Sequence, residues 1–512
     1  MSAELAGTGA LVRFVLRRDR FVLAGWVLFM AVLAVGLASG GSAAYPTEAE
    51  RIAVAESIAA NPALLMLRGP VFAPTPGGLA AQGFLSSGVL VSGVVSLLLL
   101  IRHTRVEEQT GRRELLGSTV VGRQAPLTAA LIVVVAGNLA VAVVSALGLI
   151  AIGLPVTGSV AFGLALGAGG IVFAGVGAVA AQLTEGSGGA GTIAVAVLAV
   201  CFVVAGVGEV TRSAAVWFSP FGWVRHTRSF AGEQWWVFAL FALLATVLVV
   251  AAFTLSARRD IGAGLVPARR GPVVGGRFLR STFALAWRLH RGSVLGWTVG
   301  FTFLGTVLGA ALRSIGVLFD TPAYRELAAS LGGGDAADVF FRLVLYVLAQ
   351  TATASAVIAT LRMRTEETAG LADVLLSGPV NRIRWALGHL VIAVLGTALV
   401  LTGLGLGAGL GDPDVLGMTL MYLPACLVFV GLATALTGWA PRVAVPVTWA
   451  VLLLVILVDF LGEFRLVDVS VLTFLSPFVA VAGSGAGVVL VGIAGVLVVG
   501  GLVGLRRRDV AC

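Results

Sequence analysis

Two pairs of adjacent glutamates are the residues of this chain best suited to electrostatic contact with another molecule. Glu107 and Glu108 follow one long apolar run, and Glu366 and Glu367 follow another, 259 positions later. A glycine stands three residues after each pair, where it suits the C′ position of a helix that leaves a membrane, and a short amphipathic stretch comes next. Ordinary flanking charge explains the neighbouring arginines, but it does not explain paired acids in the same register twice. The pattern therefore favours a protein-docking element over a simple connecting loop.

Residues suited to catalysis or metal binding are sparse. Cys201 and Cys426 lie in apolar runs, Cys512 ends the chain and the four histidines are dispersed, so no disulfide framework or metal-ligand spacing is present. All 34 basic side chains are arginine, and without lysine the phosphate-binding loop G-x-x-x-x-G-K-[ST] cannot form. We therefore predict no catalytic residues, no metal site and no cofactor on this chain. Arginines beside apolar runs also argue against nucleic-acid binding.

The composition indicates which elements must position the glutamates. Of the 512 residues, 58% are apolar and only 12% are charged, and the mean hydropathy is +1.03. Globular proteins average about 25% charged residues, so this chain could not cover a water-soluble surface. A membrane-spanning helix needs about 20 mostly apolar residues. The sequence therefore predicts an all-α polytopic membrane protein.

Apolar runs bounded by charge, proline or glycine predict twelve membrane-spanning helices. They lie at 21–38, 83–101, 127–149, 157–181, 191–209 and 236–256 in the first half, and at 293–312, 340–361, 386–410, 415–437, 443–461 and 485–505 in the second. Glycines crowd the fourth, ninth and twelfth runs, which predicts close helix packing there. With a cytoplasmic N-terminus, the cytoplasmic segments hold 25 of the 34 arginines, as the positive-inside rule requires. We predict a multi-pass protein of the inner (plasma) membrane with both termini in the cytoplasm.

The chain contains an internal repeat that includes the glutamate pairs. Residues of the first run and of the later loops recur in the second half: Arg17, Arg20, Gly25, Trp26, Arg105, Arg123 and Arg259 as Arg288, Arg291, Gly296, Trp297, Arg364, Arg382 and Arg508. Six spans in each copy give both copies the same orientation, a plan known among transporters. The predicted domains are a first six-span repeat at 1–256, a basic cytoplasmic linker at 257–292 and a second six-span repeat at 293–512.

The segments 11–20 and 283–291 mix basic and apolar residues just before the first span of each repeat. This composition suits an interfacial helix at the level of the lipid headgroups, with Arg17, Arg20, Arg288 and Arg291 on its polar side. A simple orientation signal is an equally good interpretation of the same arginines.

Three acids lie at or near the outer ends of predicted spans. Glu209 and Glu463 occupy matching positions in the two copies, and Asp459 lies one helical turn before Glu463. Acids near membrane depth suggest a functional site, here an outer vestibule for cationic cargo, although helix capping explains them equally well. The polar residues inside other spans, which are Asn138, Gln182, Gln350 and His389, suit hydrogen bonds between helices better than contact with cargo.

The pattern R-x-E-E-x-x-G between the second and third spans, followed by two apolar residues and a serine, resembles the coupling loop of ABC-2-type permeases. The duplicated arrangement without an ATPase domain is similar to the actinobacterial exporters of polyketide antibiotics, of the tetronasin-transport type. By position, this resemblance implies two coupling elements, one formed by Glu107, Glu108, Gly111, Leu115 and Leu116 and the other by Glu366, Glu367, Gly370, Val374 and Leu375.

The resemblance implies that the chain is the permease subunit of an ATP-driven exporter. ATP and Mg would be bound by a separate ABC ATPase subunit, in two copies that dock on the two coupling elements. The cargo would be a small hydrophobic or amphiphilic molecule, of the drug or polyketide-antibiotic type, carried out through the lipid bilayer.

Two other functions remain open from the residues themselves. A proton-coupled secondary transporter also favours twelve spans and parallel repeats, but it predicts carboxylates near the bilayer midplane, whereas most acids of this chain lie at span ends or in loops. A membrane enzyme acting on lipids would need a convergent set of catalytic residues, and the sequence contains none that we can identify.

Overall fold

The structure is a computed structural model that describes residues 4–111, 120–260, 262–266, 281–313, 336–463, 476–484 and 486–508. These residues are almost entirely helical and include no β-strand. The chain divides into two compact units, Met1–Arg270 and Gly271–Cys512, which we call unit 1 and unit 2 and describe separately.

The helices of unit 1 are α1 (Thr8–Ala44), α2 (Glu48–Ala60), α3 (Pro62–Arg68), α4 (Pro76–Ile101), α5 (Ala125–Ala151), α6 (Val156–Leu183), α7 (Ser187–Val210), α8 (Pro220–His226) and α9 (Val237–Arg258). A π-helical turn, Arg102–Val106, and a last α-helical turn, Glu107–Gln109, extend α4. A short 3₁₀ helix, Ala214–Phe218, precedes α8. The core of unit 1 lies along α4 and α6, most of whose residues are buried.

The helices of unit 2 are α10 (Thr282–Arg313), α11 (Ala336–Thr368), α12 (Leu371–Leu376), α13 (Arg382–Gly409), α14 (Pro413–Leu420), α15 (Leu423–Trp439), α16 (Ala444–Glu463), α17 (Pro477–Ser484) and α18 (Gly487–Arg507). Helices α11, α13 and α15 form the middle of this unit, and their buried faces are rich in alanine, glycine and threonine.

Among the described residues, eleven helical segments are long and apolar enough to cross a membrane, and the apolar stretch Ala444–Asp459 is a shorter twelfth. Each of the twelve predicted runs coincides with one of these segments. The tenth is divided into α14 and α15, where Pro424 occupies the first turn of α15, a position that tolerates proline because its backbone N–H has no helical partner. The predicted fold class, an all-α polytopic membrane protein, is confirmed.

The structure differs from the expectation at the start of each unit. Both α1 and α10 are unbroken, so the segments 11–20 and 283–291 are the first turns of long helices rather than separate interfacial ones. No proline interrupts α1, and its leucines and arginines favour the helical state. Its 37 residues extend over about 55 Å, well beyond a hydrocarbon core of about 30 Å. The basic turns can therefore project beyond the apolar layer.

Close helix packing is confirmed in the three glycine-rich runs. A Cβ atom at Gly163 of α6 would lie 2.2 Å from the carbonyl oxygen of Ala142 in α5, and one at Gly407 of α13 would lie 2.3 Å from that of Thr302 in α10. Gly501 of α18 approaches the backbone of α15 in the same way. Backbones this close leave no room for a side chain, which is how small residues bring membrane helices together.

The two ends of unit 1 differ chemically, and the arginine-rich end is repeated in unit 2. Arginine side chains gather where the first helix of a unit begins and where its second and last spans end, and we call this the basic end; it is the predicted cytoplasmic side. At the opposite end of unit 1, the rings of Trp217, Phe218, Trp235 and Trp236 are exposed, as in the aromatic belts that mark membrane–water interfaces.

Candidate functional site

The glutamate pairs lie at the basic end, where the second span of each unit ends. In unit 1 the pair follows the π-helical turn that extends α4, and Gly111 has φ +71°. In unit 2 the pair lies in the last turns of α11, and Gly370 has φ +68° just before α12. Both glycines thus adopt the left-handed conformation expected at C′. The predicted coupling residues Leu115 and Leu116 lie outside the described residues.

Glu108 is buried between two arginines of unit 1. Its carboxylate oxygen Oε1 lies 2.7 Å from Nη2 of Arg259, and Oε2 accepts a hydrogen bond from Nη1 of Arg105. All three side chains are at most 4% exposed. Because Arg105 belongs to the extension of α4 and Arg259 directly follows α9, this ion triad joins the ends of the second and sixth spans.

Unit 2 repeats the arrangement with the corresponding residues. Oε1 of Glu367 lies 2.6 Å from Nη2 of Arg508, and Oε2 lies 3.2 Å from Nη1 of Arg364. The Glu367 side chain is fully buried. The same three positions of the repeat therefore bring together the ends of α11 and α18.

A further arginine in each unit hydrogen-bonds to the backbone of the triad. Arg123, just before α5, donates a hydrogen bond to the carbonyl oxygen of Arg259 at 2.7 Å, and Arg382, the first residue of α13, donates one to the carbonyl oxygen of Arg508 at 2.6 Å. We call each set of four the corner clamp: Arg105, Glu108, Arg123 and Arg259 in unit 1, and Arg364, Glu367, Arg382 and Arg508 in unit 2. The clamp fixes the basic ends of the second, third and sixth spans together.

Burial in the clamp changes the pKa of Arg259, which directly follows α9. Removal of the guanidinium from water lowers its pKa below the ordinary value. Its Nε donates to Oε1 of Gln182 at 2.7 Å, and its Nη1 donates to the carbonyl oxygen of Ala263 at 3.0 Å. These donors have acceptors supplied by the protein, which a buried charge requires.

The sequence interpretation of the glutamate pairs missed this internal role. Glu108 and Glu367 face partners within their own unit, so a docking contact through them would first have to break a buried ion pair. The signal was present in the recurrence of Arg105, Arg123 and Arg259 with Glu108, but sequence spacing did not show that these residues meet. The docking role of the surface around the pairs stays a prediction.

The first glutamate of each pair connects the same corner to the first helix of its unit. Glu107 lies 2.7 Å from Nη1 of Arg18 in α1, and its side chain is 20% exposed. Glu366 lies 3.3 Å from Nε2 of His389 in α13, whose Nδ1 is 2.9 Å from Nε2 of His290 in α10. The connection is direct in unit 1 and passes through two histidines in unit 2.

The predicted interfacial arginines lie on the surface of the basic turns. Arg17, Arg20, Arg288 and Arg291 are all exposed, and the guanidinium of Arg20 lies 4.6 Å from the ring centroid of Phe21. The buried side of α1 instead presents Asp19, which contacts Arg102 at 3.0 Å and His103 at 2.8 Å. Contact of the exposed arginines with lipid headgroups stays a prediction.

Helix α12 of unit 2 is amphipathic, as predicted for the stretch after the glycine. Ala372 is buried, and Leu375 packs against the apolar core of the unit. Leu371 and Val374 are 57% and 74% exposed, and their i, i+3 spacing places them on one face. This face therefore turns two apolar side chains outward at the basic end of unit 2.

The acids at the opposite end are turned toward protein. Glu209 lies 3.3 Å from Nε2 of His226 and 4.0 Å from Nη1 of Arg225, and its side chain is only 8% exposed. Burial lowers the pKa of Arg225 to about 10, against the opposing effect of the Glu209 charge, so this arginine keeps its proton at neutral pH.

In unit 2, Oδ2 of Asp459 accepts hydrogen bonds from Tyr346 at 2.7 Å, from Ser476 at 2.8 Å and from Gln350. The side chain of Glu463 lies outside the described residues. The outer vestibule therefore stays a prediction, and the carboxylates of Glu209 and Asp459 are engaged within their own units.

The polar residues inside the spans make hydrogen bonds, as the sequence favours. Asn138 of α5 accepts from Ser92 at 3.0 Å and donates to Ser96 at 2.9 Å, both in α4. Gln182 accepts from Arg259 of the clamp, and Gln350 donates to Asp459. These contacts join different helices and hold the bundle of each unit together.

Comparison with known proteins shows the family to which this chain belongs. Residues 279–506 match the family described as "Multidrug efflux system permease Rv1217c, C-terminal domain". The chain is also 39% identical, over an alignment 529 positions long, to the multidrug efflux system permease protein Rv1217c of Mycobacterium tuberculosis (strain ATCC 25618 / H37Rv), covering 99% of this chain and 96% of that protein. With its many apolar helices, the chain therefore belongs to the Rv1217c family of multidrug efflux permeases.

Proposed function

We propose that this chain is the transmembrane permease subunit of an ATP-driven exporter of the ABC-2 type. It moves hydrophobic or amphiphilic small molecules, of the drug or polyketide-antibiotic class, out of the cell. A separate ATPase subunit, present in two copies, supplies the energy and holds ATP and Mg. The chain itself is not an enzyme, lies in the plasma membrane and keeps both termini in the cytoplasm.

The observation that carries the proposal is the exposed apolar face of α12. Leu371 and Val374 lie at the basic end, directly after the glutamate pair that is anchored in the corner clamp of unit 2. Burying an exposed leucine or valine contributes about 1.5–3 kcal/mol each, so these two side chains would add to the affinity for a partner at this corner. A push on α12 would reach α11, α13 and α18 together, because the clamp joins their ends.

The absence of lysine supports a separate energy-supplying subunit. An ATPase of this type needs a phosphate-binding loop with lysine, and this chain has none. The proton-coupled alternative has one observation in its favour: the carboxyl group of Asp459, which is 3% exposed, receives hydrogen bonds only from neutral groups of the described residues. An intramembrane carboxyl of this kind is typical of proton pathways.

Co-purification tests the proposal. The affinity-tagged chain is expressed in its own host, extracted in mild detergent and separated by size-exclusion chromatography. We expect it to retain a second protein at about two copies per chain, with ATPase activity that depends on a lysine of its phosphate-binding loop. A chain that purifies alone under conditions in which its helical fold is intact would contradict the proposal.

A further inference from the structure

A cavity lies beside the corner clamp of unit 1, between the first turns of α1, the extension of α4 and the start of α5. Its volume is about 60 Å³. The apolar part of its wall is formed by Leu11, Phe14, Val15, Leu127, Ala129 and Ala130. Leu127 begins the third predicted span, and Ser256, which also lines the cavity, ends the sixth. The cavity therefore lies at the boundary between the apolar layer and the basic end.

The charged side chains that line this cavity are already paired. Nη1 of Arg18 lies 2.7 Å from Oε1 of Glu107, and Nε of the same arginine lies 3.7 Å from the carboxylate of Asp19. Nη2 of Arg259 lies 2.7 Å from Oε1 of Glu108. Because each guanidinium has a carboxylate of its own unit beside it, a charged ligand would have to compete with an existing ion pair. The cavity therefore suits an uncharged ligand.

One hydroxyl group of the wall is left without a hydrogen bond. Gln182 accepts a hydrogen bond from the clamp at 2.7 Å, and Thr104 donates one to a backbone carbonyl of α4 at 2.7 Å. His103 lies 2.8 Å from Asp19. Ser256 is only 5% exposed, and its Oγ makes no hydrogen bond with any described residue. Since buried polar groups are normally hydrogen-bonded, this hydroxyl group is available to a ligand that enters the cavity.

Unit 2 fills the corresponding space with aromatic rings. At the repeat distance of 259 residues, Pro126 and Ala130 correspond to Trp385 and His389. The ring nitrogen of Trp385 donates to Oε2 of Glu366 at 3.2 Å, and Nε2 of His389 lies 3.3 Å from the same oxygen. Both rings belong to residues that are at most 3% exposed. The smaller side chains at these positions thus leave open in unit 1 a space that two rings occupy in unit 2.

The cavity is closed at its deep side and open beside Phe14. Leu127, Ala129 and Ala130 are at most 4% exposed, whereas Phe14 is 58% exposed, with the guanidinium of Arg18 lying 5.9 Å from its ring centroid. One water-sized group needs about 10–15 Å³, so the cavity accepts about four to six such groups. Only one slim arm of a larger molecule can therefore enter, while its remainder stays outside beside Phe14.

We propose that this cavity binds one arm of an uncharged amphiphile, a slim apolar segment that carries a hydroxyl or carbonyl group. The polar group of the arm meets the hydroxyl group of Ser256, and the apolar segment packs on Leu127 and Ala130. A concave, mostly apolar wall with few polar groups is the usual composition of a site for small molecules. Binding at this site requires neither the ATPase partner nor transport.

The amphiphile can come from the bilayer as a neutral lipid or from solution as a small molecule, and photolabelling distinguishes the two sources. The full-length chain in phosphatidylcholine nanodiscs is exposed to a hexanol that carries a photoreactive diazirine group, and labelled peptides are quantified by mass spectrometry. Unlabelled hexanol or dioctanoylglycerol is added in excess as a competitor.

Three variants locate the binding site. Ala130→Leu fills the cavity, and Ala136→Leu adds the same side chain at an exposed position of the same helix. Ser256→Ala removes the hydroxyl group without adding volume. If the Ala130→Leu chain does not fold, the comparison of Ser256→Ala with Ala136→Leu decides.

We expect label on the cavity-lining turns of α1 and α5, little at the corresponding corner of unit 2, and displacement by unlabelled hexanol. Ala130→Leu should reduce the labelling at least about fivefold and Ala136→Leu less than about twofold. Loss of one hydrogen bond in Ser256→Ala should weaken the affinity for hexanol about fivefold. Displacement by dioctanoylglycerol as well assigns the site to neutral lipids, and displacement by hexanol alone assigns it to small molecules. Label spread evenly over the lipid-facing helices, or labelling unchanged by both Ala130→Leu and Ser256→Ala, would overturn the proposal.

Discussion

Replacing Glu367 by alanine should strongly destabilise unit 2. The change leaves Arg364 and Arg508 facing each other without the carboxylate that separates them, in a place where the Glu367 side chain is fully buried. Removing one member of a buried ion pair typically costs about 3–5 kcal/mol. We expect the melting midpoint of the purified chain, followed by tryptophan fluorescence, to fall by on the order of 10 °C.

Two further variants separate the lost ion pair from a general effect of removing an acid. Asp373→Ala removes an exposed carboxylate of α12 in the same unit and should change the free energy of unfolding by no more than about 0.5 kcal/mol. Replacing all three charges together, with Glu367→Leu, Arg364→Met and Arg508→Met, should recover much of the loss, because no buried charge is then left unpaired. A Glu367→Ala chain that melts with the unmodified protein would show that the clamp is not a stabilising element.

The second large effect concerns the outward face of α12. The double substitution Leu371→Asp and Val374→Asp removes two exposed apolar side chains and places two carboxylates where an apolar partner surface would pack. With about 1.5–3 kcal/mol for each buried side chain, the affinity of the proposed ATPase subunit should fall at least about hundredfold. We expect the co-purified ATPase to fall from about two copies to about one per chain, because the coupling element of unit 1 is unchanged, and cargo export to disappear while the chain still reaches the membrane.

A matched variant controls for the added charge. Thr368→Asp with Ser377→Asp adds the same two carboxylates at exposed positions that flank α12 but leaves Leu371 and Val374 unchanged. It should retain the partner with an affinity within a few-fold of the unmodified chain. Export that persists in the Leu371→Asp, Val374→Asp chain, or is lost equally in both variants, would show that the apolar face does not dock the energy source.

The clamp changes how the glutamate pairs are understood. The clamps around Glu108 and Glu367 join the ends of three spans in each unit. The main role of these two glutamates is therefore to hold the span ends together. A partner that contacts α12 of unit 2 then meets a surface backed by ion pairs rather than by a loose loop. The shared register of Glu108 and Glu367 in the two copies follows from this geometry, since each of them pairs with an arginine three residues earlier and with another after the last span.

The two corners are not identical in chemistry. Glu107 reaches the first helix of unit 1 through the partly exposed Arg18, whereas Glu366 reaches that of unit 2 through the buried His389 and His290. A contact at the surface is screened by salt and water and contributes little, while a buried network is held more firmly. In unit 1 the buried Asp19 of the first helix also contacts Arg102 and His103 at this corner, so the two corners hold their first helices through different side chains.

Hydropathy was sufficient to predict the spans, because an apolar run of the right length has few other stable states in a membrane. The C′ glycines Gly111 and Gly370 were also predictable, since a left-handed residue after a helix is a local requirement. The start of α1 was not predicted correctly. The charged residues at 11–20 suggested a separate interfacial helix, but in the structure they continue without a break into the first span.

The contacts between distant residues were beyond sequence reasoning. Arg259 meets Glu108 across 151 positions and Asp459 meets Tyr346 across 113, and nothing in the spacing of a single sequence specifies such pairs. The internal repeat gave a partial signal, because Arg105, Arg123 and Arg259 recur with the glutamate. Recurrence indicates that residues act together, but the three-dimensional arrangement is needed to show that they form one ion cluster.

Transport by purified components tests the central claim, that this chain moves its cargo only when a separate ATPase subunit drives it. The chain is reconstituted into lipid vesicles with and without the co-purified partner, and accumulation of a fluorescent hydrophobic drug is measured with ATP or with a proton gradient. The account predicts accumulation with partner and ATP together, and none with the chain alone under either energy source. Accumulation by the chain alone, driven by the proton gradient, would contradict it.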